Sequence, residues 1–94
     1  MTEEPLSRIG RVIRGRVIEH RPFGIMVDIG EQQPGVVVVT MLEDEPRSKQ
    51  PAYPAVGQEI DAVLLGFTAI DHQPRLSMRP SDIARARDRY GDSG

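Results

Sequence analysis

The chain has 94 residues, a formal net charge of -2 and no cysteine. This length allows one small domain with a single core, and the lack of cysteine excludes a disulfide framework and a thiolate metal site. The slight negative charge argues against a protein that binds polyanions mainly by bulk attraction. Residues 1–5 lack the apolar core of a signal peptide, and no apolar run approaches the length of a bilayer span. We therefore expect a soluble, monomeric, cytoplasmic protein without a membrane partner.

Arginine far outnumbers lysine in the sequence. A GC-rich bacterial genome explains this bias, although the planar guanidinium also suits contacts to phosphates and bases. Around the first predicted strand, a series of arginines faces a single acid, Glu19. The series is either a track for phosphates or a solvated strand face, and the overall acidity favours the solvated face. Its members are Arg8, Arg11, Arg14, Arg16 and Arg21.

Three strands are predicted in the first half of the chain, mainly from the period-two alternation of apolar residues. The first covers residues 9–20, with Gly10 and Gly15 where a barrel strand would bend. The second covers residues 23–30 and keeps one face available for binding. A short polar loop that ends in a Pro-Gly pair joins it to a valine-rich third strand over residues 36–40.

A long connection over residues 41–57 separates these strands from the rest. Its three prolines prevent a regular strand, and we expect the ring of Tyr53 to pack on the barrel. A fourth strand follows over residues 58–70, with a bulge at Gly66, and a short fifth strand covers residues 75–79.

This order of elements predicts an all-β protein, a five-stranded antiparallel Greek-key barrel of the OB-fold type with a short C-terminal helix. Five strands are too few for a sandwich. We expect a flexible N-terminus over residues 1–7, the barrel over residues 8–80, a helix over residues 81–90 with Ser81 as its N-cap, and a disordered tail over residues 91–94.

Several motifs, in this order and spacing, resemble those of the S1 RNA-binding domain, the OB-fold module repeated in bacterial ribosomal protein S1 and present in exoribonucleases. The opening G-x-V-V-x-G-x-V pattern is carried by Gly10, Gly15 and Val17, and the F-G-x-F-V-D-x-G pattern by Phe23, Gly24 and residues 27–30. The remaining matches are Gly35, Tyr53, residues 56–60, Asp71 and residues 75–78. The resemblance covers residues 9–79 and implies an OB-fold module that binds single-stranded RNA.

The resemblance also implies which residues bind. In this family the RNA lies on two aromatics of strand two, a histidine of strand three, and an aspartate and an arginine around the last hairpin. Phe23 matches the first aromatic, and Asp71 and Arg75 match the last two positions. Met26 stands at the second aromatic position and Val38 at the histidine position. Two of the five usual contacts are therefore replaced, and weaker binding is expected.

Arginines of the first strand are expected to compensate in part, because Arg14, Arg16 and Arg21 should lie on or beside the same surface. There they can hold phosphates or stack on bases. His20 and His72 stand apart from any other ligand-like residue, so we expect no metal site, no cofactor and no catalysis.

The leading interpretation is a binding module of modest affinity for single-stranded RNA, connected with translation or RNA metabolism, for which the ribosome is a candidate partner. The alternative is an OB barrel reused for protein–protein interaction, in which the valine-rich third strand and Met26 form an apolar patch. Fold alone does not decide between the two.

Overall fold

The computed structural model describes residues 8–43 and 53–90. Within these ranges there are five strands and one α-helix: β1 is Val12–Arg21, β2 is Gly24–Asp28, β3 is Gly35–Val38, β4 is Glu59–Phe67, β5 is Pro74–Ser77 and α1 is Pro80–Tyr90. A 3-10 turn, Val39–Met41, follows β3. The predicted flexible N-terminus, the disordered tail and the middle of the long connection lie outside the described residues.

The strands close into a barrel in the order β1-β2-β3-β5-β4, which confirms the predicted five-stranded barrel. All neighbouring pairs are antiparallel except that of β3 with β5, which is parallel. The expectation of a wholly antiparallel barrel is wrong at this one pair. The reason is geometric, because strand directions cannot alternate all the way round a closed ring that has an odd number of strands.

The core fills the inside of the barrel and is built from alternate residues of the strands. Val17, Ile25, Val27 and Val37 have no exposed surface, and Leu76 is almost as deeply buried. Complete burial of one such side chain stabilises the fold by about 1.5–3 kcal/mol. The alternation that buries these residues turns their neighbours outward, so it also determines which side chains can form a binding surface.

The bulge in β1 lies at a different residue from the one predicted. We expected the strand to bend at Gly15, yet the register shifts further on, between Val17 and Glu19. Gly15 serves a different purpose, because a Cβ atom there would lie 2.4 Å from Cγ1 of Val27. The glycine therefore permits a close approach of β1 to β2, and the bulge falls at Ile18.

The second bulge lies where it was predicted, since the pairing of β4 with β5 shifts between Leu64 and Gly66. Beyond it β4 ends at Phe67, three residues before the predicted end. A turn stops the strand there. The backbone N–H of Thr68 donates to the carbonyl of Gln73 at 2.9 Å, and the Thr68 hydroxyl accepts from the N–H of Gln73 at 2.9 Å.

The helix begins one residue earlier than predicted, and Ser81 is not its N-cap. The carbonyl of Arg79 accepts the first helical hydrogen bond, from the N–H of Ile83 at 3.1 Å, and Ser81 lies inside the first turn. The buried hydroxyl of Ser77 organises this start instead. It accepts from the N–H of Arg79 at 3.2 Å and donates to Oδ2 of Asp82 at 2.6 Å.

Two further contacts fix the outside of the barrel. The helix α1 packs on β4 and β1, and Ala86 is its buried residue. Tyr53 packs against the core, as predicted, and its hydroxyl donates to the carbonyl of Arg21 at 3.0 Å. The long connection is thereby tied to the turn between β1 and β2.

Candidate nucleic-acid interface

The outer side of β2, β3 and β5 carries a row of side chains that the strand register places next to one another. Met26 pairs with Val36, and Val36 pairs with Arg75. Because neighbouring strands lie about 4.8 Å apart, Met26 and Arg75 are about 10 Å apart across the sheet. Val38 lies on the same side of β3, two residues beyond Val36. The sequence-predicted positions Met26, Val38 and Arg75 therefore share one face.

Phe23 stands at the upper end of this face, in the turn between β1 and β2. Its residue surface is 48% exposed, although the alternation of the strand grouped it with the inward residues. Its carbonyl accepts the N–H of Val39 at 2.8 Å, which holds the turn against the end of β3. Phe23 therefore lies beside the end of β3 that carries Val38, and its exposed ring is open to a planar ligand.

The middle of the face is aliphatic. Met26 is only 9% exposed, so it offers little surface, whereas Val36 and Val38 are half-buried. Sequence reasoning did not select Val36, although its position two residues before Val38 places it on the same side of a strand. We use the term binding face for this candidate surface, which consists of Phe23, Met26, Val36, Val38 and Arg75.

Arg75 is exposed and differs from every other arginine that the structure describes. Within residues 8–43 and 53–90, it is the arginine with neither a carboxylate partner nor an aromatic ring beneath it. Carboxylates pair with Arg8, Arg14, Arg16, Arg21, Arg79, Arg85 and Arg87 at 2.6–3.9 Å. The ring of Tyr90 lies under Arg11 and beside Arg89. The guanidinium of Arg75 is thus available to an incoming anion.

Asp71 lies outside the binding face, in the turn between β4 and β5 and three residues before β5 begins. Its Oδ1 accepts the hydroxyl of Thr68 at 2.7 Å, and its carbonyl accepts the side-chain amide of Gln33. Asp71 therefore helps to hold two loops together at the end of the barrel opposite Phe23.

The three predicted arginines of β1 are divided between two sides of the barrel. Arg21 pairs with Gly24 in the register and so reaches the edge of the binding face, where its Nε donates to Glu19 at 2.6 Å. Arg14 lies opposite β4, where Asp61 faces it at 3.2 Å, and Arg16 lies between β2 and β4, where Glu59 of β4 faces it at 3.9 Å. The structure does not bring these two arginines beside Phe23.

No histidine is set up as a ligand in the described part of the chain, and no three histidine or acidic side chains there form a group that could hold a metal ion. His20 packs edge-on against the ring of Tyr53, with 5.2 Å between centroids, and its Nε2 donates to the carbonyl of Pro54 at 2.7 Å. Among the described residues, none of the helices is long and apolar enough to cross a membrane.

The comparison with known families decides what this barrel is. The model of the S1 RNA binding domain matches residues 7–79, which include all five strands. The chain belongs to the S1 RNA-binding domain family. A search of curated proteins finds no match to the sequence.

Several solved structures are similar to this barrel in fold at low sequence identity. GSP13 from Bacillus subtilis is 22% identical with a TM-score of 0.66, over 78% of this chain and 56% of that protein. MJ1198 from Methanocaldococcus jannaschii is 18% identical with a TM-score of 0.60, over 85% of this chain and 97% of that one. RNase R from Mycoplasma genitalium is 20% identical with a TM-score of 0.60, over 76% of this chain and 13% of the enzyme. This S1 domain thus spans about half of the Bacillus protein and a small part of the nuclease.

Proposed function

We propose that this S1 domain is a non-enzymatic module that binds single-stranded RNA with modest affinity on the binding face. The observation that carries the proposal is the joint placement on one face of an exposed ring, Phe23, and of Arg75, an arginine that has no carboxylate partner among the described residues. Arg21 stands at the edge of the face, and Asp71 lies outside it, at the end of the barrel opposite Phe23.

Each of the two groups supplies a different part of RNA recognition. The half-exposed ring of Phe23 can stack on a base, a contact that contributes about 1–3 kcal/mol. The planar fork of Arg75 suits a phosphate or a base edge. The aliphatic side chains between them, Met26, Val36 and Val38, can contact sugars and bases but supply no ring. Binding should therefore be weaker than on a face that carries three rings.

The charges around β1 also indicate modest affinity for RNA, because acids already pair with its arginines. Glu19 neutralises Arg21, and acids of β4 neutralise Arg14 and Arg16. Such exposed pairs are worth roughly 0–1 kcal/mol each, so a phosphate can displace the acid at small cost. These arginines are accordingly secondary contacts in the proposal, and Arg75 is the principal one.

Fluorescence anisotropy with short labelled RNA oligomers, at low and moderate salt, tests the proposal. The variant that combines Phe23→Ala with Arg75→Ala should bind at least about tenfold more weakly, because it loses one stacked base and one charged contact. The matched control combines Val56→Ala with Arg85→Ala, which removes an exposed apolar side chain and one charge elsewhere. Equal binding by the two double variants would refute the assignment of the face.

A second candidate function rests on the aliphatic centre of the same face. Met26, Val36 and Val38 form an apolar strip, which is also what a protein partner would contact. A wild-type protein that binds no RNA in the anisotropy assay, yet keeps a protein partner after ribonuclease treatment of the cell extract, would favour this function.

The proposed RNA-binding role fits a cytoplasmic domain of translation or RNA metabolism, since RNase R and the alpha subunit of aIF2 from Pyrococcus abyssi contain similar barrels.

A further inference from the structure

Where β1 begins and α1 ends, two arginines share one carboxylate and a third arginine lies on an aromatic ring. Nε of Arg14 donates to Oδ1 of Asp61 at 3.2 Å, and Nη2 of Arg87 donates to Oδ2 of the same group at 3.2 Å. The guanidinium carbon of Arg11 lies 4.6 Å from the centroid of the Tyr90 ring. We call these five residues the β1–α1 junction. With three arginines and one aspartate it carries a charge of +2, in a chain whose net charge is -2.

The residues of the junction lie together on one surface of the protein. Arg87 and Tyr90 are three residues apart on α1, so they occupy the same side of the helix. Arg11, which immediately precedes β1, lies on Tyr90, and Arg14 of β1 shares Asp61 with Arg87. Asp88 adjoins Arg87 in sequence, but successive residues of a helix do not face each other. Asp61 is therefore the acid that the two neighbouring guanidiniums share.

The arginines of the junction are oriented but still accessible. The side chains of Arg14 and Arg87 are 68% and 45% exposed, and ion pairs in such positions are weak. Asp61 holds the two guanidiniums on either side of its carboxylate, while the ring of Tyr90 holds Arg11. Because the planar forks are already oriented, binding of a phosphate costs less side-chain entropy.

The position of the junction relative to the binding face suggests how one ligand could reach both. The later half of β1 pairs with β2 and leads into the turn of Phe23, whereas the earlier half pairs with β4. The ten residues of β1 are about 33 Å long at the usual rise of a strand. We propose that an RNA strand seated on the binding face continues along β1 and places backbone phosphates at the β1–α1 junction.

This inference rests on the proposed RNA binding and extends it to a second, sequence-independent contact. The test is anisotropy over a salt series with RNA oligomers of about 4 to about 16 nucleotides, the range of site sizes on one OB fold. With the longest oligomer, Arg14→Gln combined with Arg87→Gln should reduce the slope of log affinity against log salt by about 1.4, which is about 0.7 for each lost phosphate contact. With the shortest oligomer the slope should not change.

The matched control is Arg8→Gln combined with Arg85→Gln, which removes the same charge from arginines that pair with Glu31 and Asp82 and not with Asp61. An equal loss of slope in both double variants would overturn the inference, because net charge alone would then explain the effect. A long oligomer that binds the wild type and the Arg14 and Arg87 variant with the same slope would overturn it too. The proposed function would stand in either case, provided that the Phe23 and Arg75 variant still binds weakly. A wild type that binds no RNA would overturn both.

A second variant keeps the inference testable if loss of the arginines unfolds the domain. Asp61→Asn raises the charge of the junction from +2 to +3 and should tighten binding of the long oligomer severalfold, with no effect on the short one. Asp88→Asn changes the net charge equally and serves as the control. Equal tightening by Asp61→Asn and Asp88→Asn would count against a phosphate contact at the junction.

Discussion

Val38 shows that one substitution can keep the fold of a family and still weaken the proposed binding of RNA. It stands on the outer side of β3 next to Gly24 of β2, at the position where the S1 family resemblance places a histidine. A valine there preserves the strand, because β-branched residues favour extended backbone. It removes a ring from the middle of the binding face.

Restoring that ring should restore affinity. We predict that Val38→His tightens binding of short single-stranded RNA about fivefold or more, the equivalent of one additional stacked base. The gain should increase as the pH falls through the histidine pKa range near 6.5, because a charged imidazole also attracts phosphate. Anisotropy titrations measure the effect. Val38→Thr keeps the shape without a ring and is the control, and a histidine variant that binds no better than it would place Val38 outside the RNA path.

Single residues were also where sequence reasoning about the site was incomplete. The family resemblance assigned Phe23, Met26, Val38 and Arg75 to one face, whereas the alternation of the strand grouped Phe23 with the inward residues. Val36 was missed because no motif marks it. The availability of Arg75 could not be predicted, because it depends on the described carboxylates, which the fold places beside other arginines and not beside this one.

At the scale of elements, hydrogen bonds from Ser77 of β5 and from Arg79 to Asp82 stabilise the start of α1. Asp82 accepts hydrogen bonds from the guanidinium of Arg79 at 2.9 Å and from the hydroxyl of Ser77 at 2.6 Å. These donors, Arg79 foremost, hold the pKa of the Asp82 carboxyl below its ordinary value of 3.8, although burial acts in the opposite direction. The charged carboxylate also lies in the first turn of the helix, where the helix dipole favours it.

We predict that Asp82→Asn lowers the free energy of unfolding by about 1–2 kcal/mol, the usual cost of losing such an interaction at a helix start. Because the folded-state pKa is lowered, the stabilisation is complete above the unfolded-state value and is lost as the pH falls below about 3.8. Urea titrations at neutral and at acidic pH should therefore show a difference between wild type and variant that shrinks with acid. Asp88→Asn, on the exposed side of the same helix, should change little. A difference that stays constant with pH would contradict this role for the charge.

Secondary-structure elements could be predicted where the residues of the element itself carry the pattern that indicates it. The alternation of Ile25 and Val27 identified β2, and Gly66 marked the bulge in β4. The bulge at Ile18 has no local marker, because it results from fitting β1 to β2 and β4 together, and Gly15 was mistaken for its cause. The helix start was misplaced by one residue because its partner, Ser77, belongs to the preceding strand.

At the scale of the whole molecule, the odd number of strands leaves one short parallel pair to close the barrel. Val36 opposes Arg75 and Val37 opposes Leu76 in this pair. Closure therefore relies on the side chains beneath the pair more than on a long ladder of hydrogen bonds. The same pair joins the aliphatic middle of the binding face to Arg75, so barrel closure and the binding surface share one structural element.

We predict that Leu76→Ala lowers the free energy of unfolding by about 2–5 kcal/mol, as expected for a leucine truncated in a packed core. That is a large share of the total, which is about 5–15 kcal/mol for a domain of this kind. Leu65→Ala is the matched control, because Leu65 is 37% exposed beside α1, and its truncation should cost about 0.5 kcal/mol. Urea denaturation gives both values, with an unchanged slope if unfolding remains cooperative. Similar losses for the two leucines would mean that the parallel pair does not control the closure of the barrel.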